Sequence, residues 1–263
     1  MMKEFKTLII DHINEFVLRI TLNRPEAMNA INSLMMQELQ QFWEEINQSK
    51  STIRCIILTG NGKAFCAGAD LKERKDIDLA TWRKQRSALE KAMLAMTECP
   101  YPIIAAVNGA AFGGGLELVL AADFIYAANN VTFAQSETKW GLIPGAMGTQ
   151  NLPRACGMRR AKELCFTAEQ FSAEQATQWG IVNKLCTEEN LMNEVTNTAL
   201  KIAANAPLAV QQAKKAMTIA DHTDIKKGFA YEVKIYNELL PSKDREEGIK
   251  AFNEKRDAKF KGE

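Results

Sequence analysis

A chain of 263 residues, 46% of them apolar, is long enough for one large α/β core, or for such a core with an appendage. Its 33 basic and 32 acidic side chains nearly cancel, so no overall charge asks for nucleic acid or an anionic membrane as partner. Two isolated histidines, His12 and His222, and six scattered cysteines without a Cys-x-x-Cys pair argue against a metal centre, a Ser-His-Asp triad and a disulfide framework.

The start is not an apolar targeting segment, and no later run is long enough to span a bilayer, so a soluble, cytoplasmic protein is expected. Residues 7–11 and 16–22 alternate around Asn14 and predict a hairpin. Asn32 can cap a helix in which Met35, Leu39, Phe42 and Ile46 share a face, leaving Gln37, Glu38, Gln41, Glu44 and Glu45 for solvent. Residues 53–59 and 103–107 are short, β-branched and continuously apolar, as interior strands are. Gly60-Asn61-Gly62-Lys63 resembles a nucleotide loop only superficially. It lacks the third dinucleotide glycine, and Ala64 stands where a phosphate loop needs Ser or Thr, so it reads as a turn.

Small residues follow in Ala64-Phe65-Cys66-Ala67-Gly68-Ala69, then the charged run Asp70 to Arg74, read as a helix start with Asp70 as N-cap. A helix over 78–97 ends before Pro100 and Pro102. The run Gly113-Gly114-Gly115 then opens an apolar helix whose first amides lack intrahelical partners and favour negative charge. Glu117 lies about one turn beyond Gly114, with Leu116, Leu118, Val119 and Leu120 around it and no Ser or Thr to complete a capping box. An ionisable group so placed points to a task rather than a cap. Two small-residue loops, each after an interior strand and before a helix, can offer one N–H apiece to a single oxygen, which suggests acyl-thioester chemistry.

Glu137 by itself reads as a solvated carboxylate in a polar loop, and Trp140 as core in preference to pocket wall. Beyond Cys186 the pattern is helical, over 188–205, 207–219, 224–240 and 244–260. Strands alternating with helices, then helices alone, predict an α/β class with a helical appendage.

Three blocks in order, Phe65-Cys66-Ala67-Gly68-Ala69-Asp70-Leu71-Lys72, Asn108-Gly109 to Glu117, and Ser136-Glu137-Thr138-Lys139-Trp140-Gly141-Leu142-Ile143-Pro144-Gly145, closely resemble the enoyl-CoA hydratase/isomerase (crotonase) superfamily. With Asn23-Arg24-Pro25 and Ala251-Phe252-Asn253-Glu254-Lys255-Arg256, the resemblance covers practically the whole chain. It implies a ClpP/crotonase-like α/β fold of repeated ββα units over 1–190. It also implies a C-terminal helical region, 191–263, that assembles a homotrimer or a dimer of trimers and completes the coenzyme A site.

By the same resemblance Ala69 and Gly114 supply the amides of an oxyanion hole, and Glu117 and Glu137 are the two catalytic carboxylates. Ala67, Ala69, Asp70, Leu71, Lys72 and Gly114 would follow the coenzyme A moiety. Lys255 matches a late basic residue near its adenine and phosphate end, and equally fits a solvated lysine. Coenzyme A belongs to the acyl-CoA substrate, so no cofactor or metal is expected.

The reaction implied is hydration of a 2-enoyl-CoA across C2=C3 to a 3-hydroxyacyl-CoA, with Glu117 activating water and Glu137 protonating C2. Short-chain enoyl-CoA hydratases and the methylglutaconyl-CoA hydratases of leucine breakdown are both close, the latter through Asp70 to Arg74, the Glu137 block and Lys261-Gly262-Glu263. An isomerase is an alternative. From a different class, a noncatalytic or RNA-binding scaffold would use the basic group Arg83, Lys84, Arg86 and Lys91. Met147 stands where relatives often carry glycine and is expected to alter the acyl pocket.

Overall fold

The computed structural model describes residues 5–49 and 51–263. β1 (Leu8–His12) and β2 (Val17–Leu22) form the expected antiparallel hairpin, with Leu8 opposite Leu22. Asn14 closes it by accepting the amides of Phe16 and Val17. α1 (Ser33–Gln48) starts at Asn32, whose side chain accepts the Met35 amide, and buries Met35, Leu39, Phe42 and Ile46. Glu38 departs from the expected solvent face. It is buried and takes the amides of Lys6 and Thr7 and the Thr7 hydroxyl, standing in for a strand partner just before β1.

From there the chain repeats one move: a strand in a large sheet, a strand in a small one, then a helix. β3 (Cys55–Gly60), β4 (Ala64–Cys66) and α2 (Leu79–Thr97) make one unit. β5 (Ile103–Val107), β6 (Ala110–Phe112) and α3 (Gly114–Leu120) make the next. β7 (Phe124–Ala128) and β8 (Thr132–Ala134) begin a third, continued by α4 (Gly148–Cys156) and α5 (Met158–Thr167). β9 (Gln170–Ser172), α6 (Ala173–Gln178) and β10 (Lys184–Cys186) close both sheets.

The large sheet runs β1-β2-β3-β5-β7-β10 and is parallel beyond the hairpin; the small one runs β4-β6-β8-β9. β3 and β5 are buried at every residue, as unbroken apolar strands covered on both faces should be. Consecutive loops of the repeat therefore emerge side by side at the edge of the small sheet. There α3 meets β4 so closely that a β-carbon on Gly115 would lie 2.1 Å from the Cys66 carbonyl oxygen, a position only glycine can fill.

α7 (Leu191–Ala203) packs on the large sheet against β2, β3, β5 and β7, and α8 (Pro207–Ala220) leads into α9 (Ile225–Leu239) and α10 (Lys243–Glu254). α10 stops at Lys255, in left-handed conformation at φ 54°, and not at 260 as the sequence pattern suggests. The tail turns back, with Phe260 O bonded by Arg54 and the amides of Lys261 and Gly262 held by Asp244. Ile225, Phe229, Val233, Tyr236 and Leu240 line one exposed face of α9. Among the described residues no helix is long and apolar enough to cross a membrane, and no cluster of His, Cys, Asp and Glu is suited to a metal ion.

Candidate active site

The loop after β4 is tied down from one side only. Ala67 N donates to Met28 O, Ile31 N to Gly68 O and Asp70 N to Ile31 O, so the amides flanking Ala69 are committed and that of Ala69 faces the other way. Behind it, Arg24 Nη1 pairs with Asp70 at 2.9 Å and with Ala30 O at 2.6 Å. Burial pushes the Asp70 carboxyl up, but Arg24 and the amides of Glu73 and Lys72 outweigh it and hold the group below the usual range. Asp70 Oδ1 accepts the amides of Lys72 and Glu73 as an N-cap would, but contrary to expectation no helix follows: residues 71–76 form successive turns. Asn29, buried at φ 55°, ties down the turn before β4 and its first residue through Asn61 O and Ala64 O.

The second loop brings Gly114 to this place. Gly113, at φ 49°, donates its amide to Ala134 O and turns the chain into α3, leaving the first helical amide unbonded. A β-carbon on Gly114 would lie 3.9 Å from Ala69 N, so the two backbones are neighbours. Among the described residues neither the Ala69 nor the Gly114 amide has a protein acceptor. Both residues line one cavity of about 380 Å³.

Glu117 and Glu137 line it as well. Glu117 is only 3% exposed, and its Oε1 accepts the amides of Ala146 at 2.6 Å and Gly148 at 2.8 Å. Burial foremost, then the Glu137 charge, push its carboxyl up to about 7; the two amides and Arg86 pull the other way. Glu137 opens the short 3-10 turn Glu137–Trp140 and is half-buried, with Oε2 bonded by Gln135 Nε2 at 3.0 Å. Its other oxygen lies 2.9 Å from where a Gly113 β-carbon would stand, beside the start of α3.

Of the residues read from the sequence, Ala67, Ala69, Leu71, Gly114, Glu117 and Glu137 line the cavity; Asp70 lies behind it, and Lys72 and Lys255 lie outside its wall. Trp140 is not core. It is 61% exposed at the cavity edge, because the 3-10 turn carries it outward. Met147 does not line the cavity either. Its contribution is backbone: at φ 72° it turns the chain so that the amides on both sides of it meet one oxygen of Glu117.

Sequence reading missed Trp82, Arg86 and Leu89, which enter the cavity from α2, and Arg74 from the preceding turns. Trp82, Arg86 and Leu89 recur at spacings of four and three, the signature of one helical face, so the signal was present. The two small-residue loops drew attention away from it.

Residues 12–263 match the enoyl-CoA hydratase/isomerase family. The chain is 40% identical over 248 residues to the mitochondrial enoyl-CoA hydratase of Pongo abelii, covering 94% of this chain and 84% of that one. It is 38% identical to the enoyl-CoA isomerase/hydratase fer4 of Mycosarcoma maydis, over 94% and 93% of the two chains. The crystal structure of an enoyl-CoA hydratase from Bacillus anthracis superposes with a TM-score of 0.95 at 41% identity, covering 98% of this chain and all of the other.

Proposed function

The chain belongs to the enoyl-CoA hydratase/isomerase family and has its crotonase fold, and from that footing we propose that it hydrates a 2-enoyl-CoA thioester across C2=C3 to give the 3-hydroxyacyl-CoA. The observation that carries this reading is the pair of acceptor-free amides, Ala69 and Gly114, beside two carboxyl groups in one cavity.

Attack of water at C3 moves charge onto the thioester oxygen as an enolate forms. Two fixed amides meet that charge without reorganising, and one such donor typically contributes roughly 2.7 to 4 kcal/mol. Water must lose a proton while C2 gains one. Glu117, with its carboxyl near 7, is well matched to take the first at neutral pH. Glu137, more accessible, delivers the second.

An isomerase needs one carboxylate to carry a proton between carbons, so a second one buried at 117 favours hydration. The RNA-binding reading loses support because Arg86 turns into the cavity and leaves the basic group. We assign residues 1–190 to the catalytic core and 191–263 to a helical region that assembles a homotrimer or a dimer of trimers; the apolar face of α9 supports this, since such stripes mark interfaces. Coenzyme A enters as part of the substrate, with Lys72 and Lys255 assigned to its more distant groups.

The test is loss of the conjugated-thioester absorbance of crotonyl-CoA with formation of 3-hydroxybutyryl-CoA. Glu117→Gln should fold and lose roughly 10²- to 10⁴-fold in turnover. A folded Glu117→Gln protein with full hydratase activity overturns the assignment.

A further inference from the structure

Two arginines stand in the cavity wall with no carboxylate in direct contact, although Glu117 and Glu137 line the same cavity. Arg86 reaches from α2 to Gly145, where a β-carbon would lie 3.1 Å from its Nη1. Gly145 directly precedes Ala146, whose amide holds Glu117. The Arg74 guanidinium rests over the Trp82 ring, 4.7 Å from its centre. Burial holds Arg74 below the usual arginine range, and the nearby Arg86 charge adds to this against the pull of Glu73 and Asp70. Among the described residues neither guanidinium makes a hydrogen bond or an ion pair, although both line the cavity with Met36, Leu71, Trp82 and Leu89.

Glu117, Glu73 and Asp70 offset part of this positive charge from a distance, but none of them contacts a guanidinium, so the donor groups of both arginines are left for a ligand anion. Guanidinium groups suit carboxylate and phosphate alike. Position separates the two. Arg86 borders the loop that holds Glu117, whereas the pantetheine arm keeps coenzyme A phosphates far from a thioester seated at Ala69 and Gly114. A carboxylate only a few bonds beyond C3 falls within reach.

We propose that Arg86, seconded by Arg74, recognises a terminal carboxylate on the acyl group, so that the preferred substrates are CoA monothioesters of unsaturated dicarboxylic acids. This rests on the cavity being an acyl-CoA site. It narrows the substrate class and goes beyond hydration of an unspecified enoyl chain.

Adipyl-CoA and hexanoyl-CoA are saturated, have six-carbon acyl groups and differ only at the far end, so calorimetric titration isolates that end from the chemistry. The protein should bind adipyl-CoA at least about 10-fold tighter, the scale of one charge-assisted hydrogen bond. Arg86→Leu should erase most of that preference and Arg74→Leu part of it, with Arg86→Gln as a polar control for packing. Equal affinity for the two thioesters overturns the proposal, as does a preference that survives in every variant. A matching loss of affinity for free coenzyme A overturns it too, since the arginines would then serve phosphates.

For turnover, the readout is the kcat/KM ratio of 2,3-dehydroadipyl-CoA to 2-hexenoyl-CoA, which divides out any effect of Arg86 on Glu117. A ratio that falls about 10-fold or more in Arg86→Leu supports the proposal, and an unchanged ratio refutes it. If neither compound is hydrated while the adipyl preference persists and disappears in Arg86→Leu, the hydratase reading fails and the carboxylate site stands.

Discussion

Glu117 and Glu137 are the same side chain in two different neighbourhoods. The first is dry, fixed in α3 and gripped by two backbone amides on one oxygen; the second starts a short turn, is half-buried and is steadied by one glutamine side chain. Desolvation and the second carboxylate lift the first toward neutrality, against the amides that favour its charged form. The difference teaches that burial and a neighbouring charge, more than residue type, set the protonation of Glu117, while the backbone amides around it fix its position.

The strongest way to break this comparison is to neutralise each partner in turn. Glu137→Gln and Glu117→Gln should each cut hydration by roughly 10²- to 10⁴-fold. They should part company in deuterium exchange at C2 of a saturated acyl-CoA, followed by mass spectrometry: Glu117→Gln keeps it and Glu137→Gln loses it. Exchange that survives only in Glu137→Gln would reverse the roles. The acid limb of kcat/KM should lie near pH 7 in the wild type, where Glu117 must be ionised. In the residual activity of Glu137→Gln it should move to lower pH, because one cause of the upward push is gone.

Stability gives the next largest effect. A carboxyl raised from 4.5 to about 7 in the folded state favours folding most fully below pH 4.5, and that contribution is lost as the pH rises through 7. The loss is on the order of 3 kcal/mol. Glu117→Gln should therefore melt higher than wild type at pH 8, by up to about that amount, with the gap closing toward pH 4.5. A constant gap would show that Glu117 does not titrate in this range.

Gly148→Ala is a smaller disturbance to the same grip. Its β-carbon would meet Glu117 Oε1 and Pro144 Cβ, each at 2.8 Å, costing about 1 to 3 kcal/mol in denaturant titrations and lowering turnover by displacing the carboxylate. Smallest of all, Met147→Gly should relieve a left-handed backbone and raise stability by less than about 1 kcal/mol, since glycine's extra unfolded-state freedom offsets part of the gain. A loss of stability on that change would mean that the Met147 side chain outweighs its backbone strain.

The helices show how far sequence pattern reaches. Met35, Leu39, Phe42 and Ile46 on α1 and Ile225, Phe229, Val233, Tyr236 and Leu240 on α9 repeat at nearly the same spacing, yet the first set is buried and the second exposed. Periodicity marks a face to be covered and is silent on what covers it. The hairpin, the interior strands and the glycine-opened helix bearing Glu117 were legible because local composition determines them, whereas Ala69 was singled out only by the family resemblance. Glu38 was not, since its partners lie 31 and 32 residues away. Nor was the outward turn of Trp140 on its short 3-10 segment; Arg86 shares a legible helical face with Trp82 and Leu89, but the loop at Gly145 that it meets lies in another part of the chain. The Asp70 reading fits the side chain, which accepts the Lys72 and Glu73 amides, and fails for the segment after it, which stays in turns instead of forming a helix.

The two unbonded amides carry a consequence of their own. Because they belong to the main chain, no residue exchange other than to proline, which also locks the backbone, can delete either of them, and an alanine scan would pass over both. Only an amide-to-ester replacement of the peptide bond at Ala69 or Gly114 removes a donor while keeping every side chain. A reacting centre built this way is inherited with the path of the backbone, which leaves the side chains of the surrounding wall free to diverge toward new acyl groups.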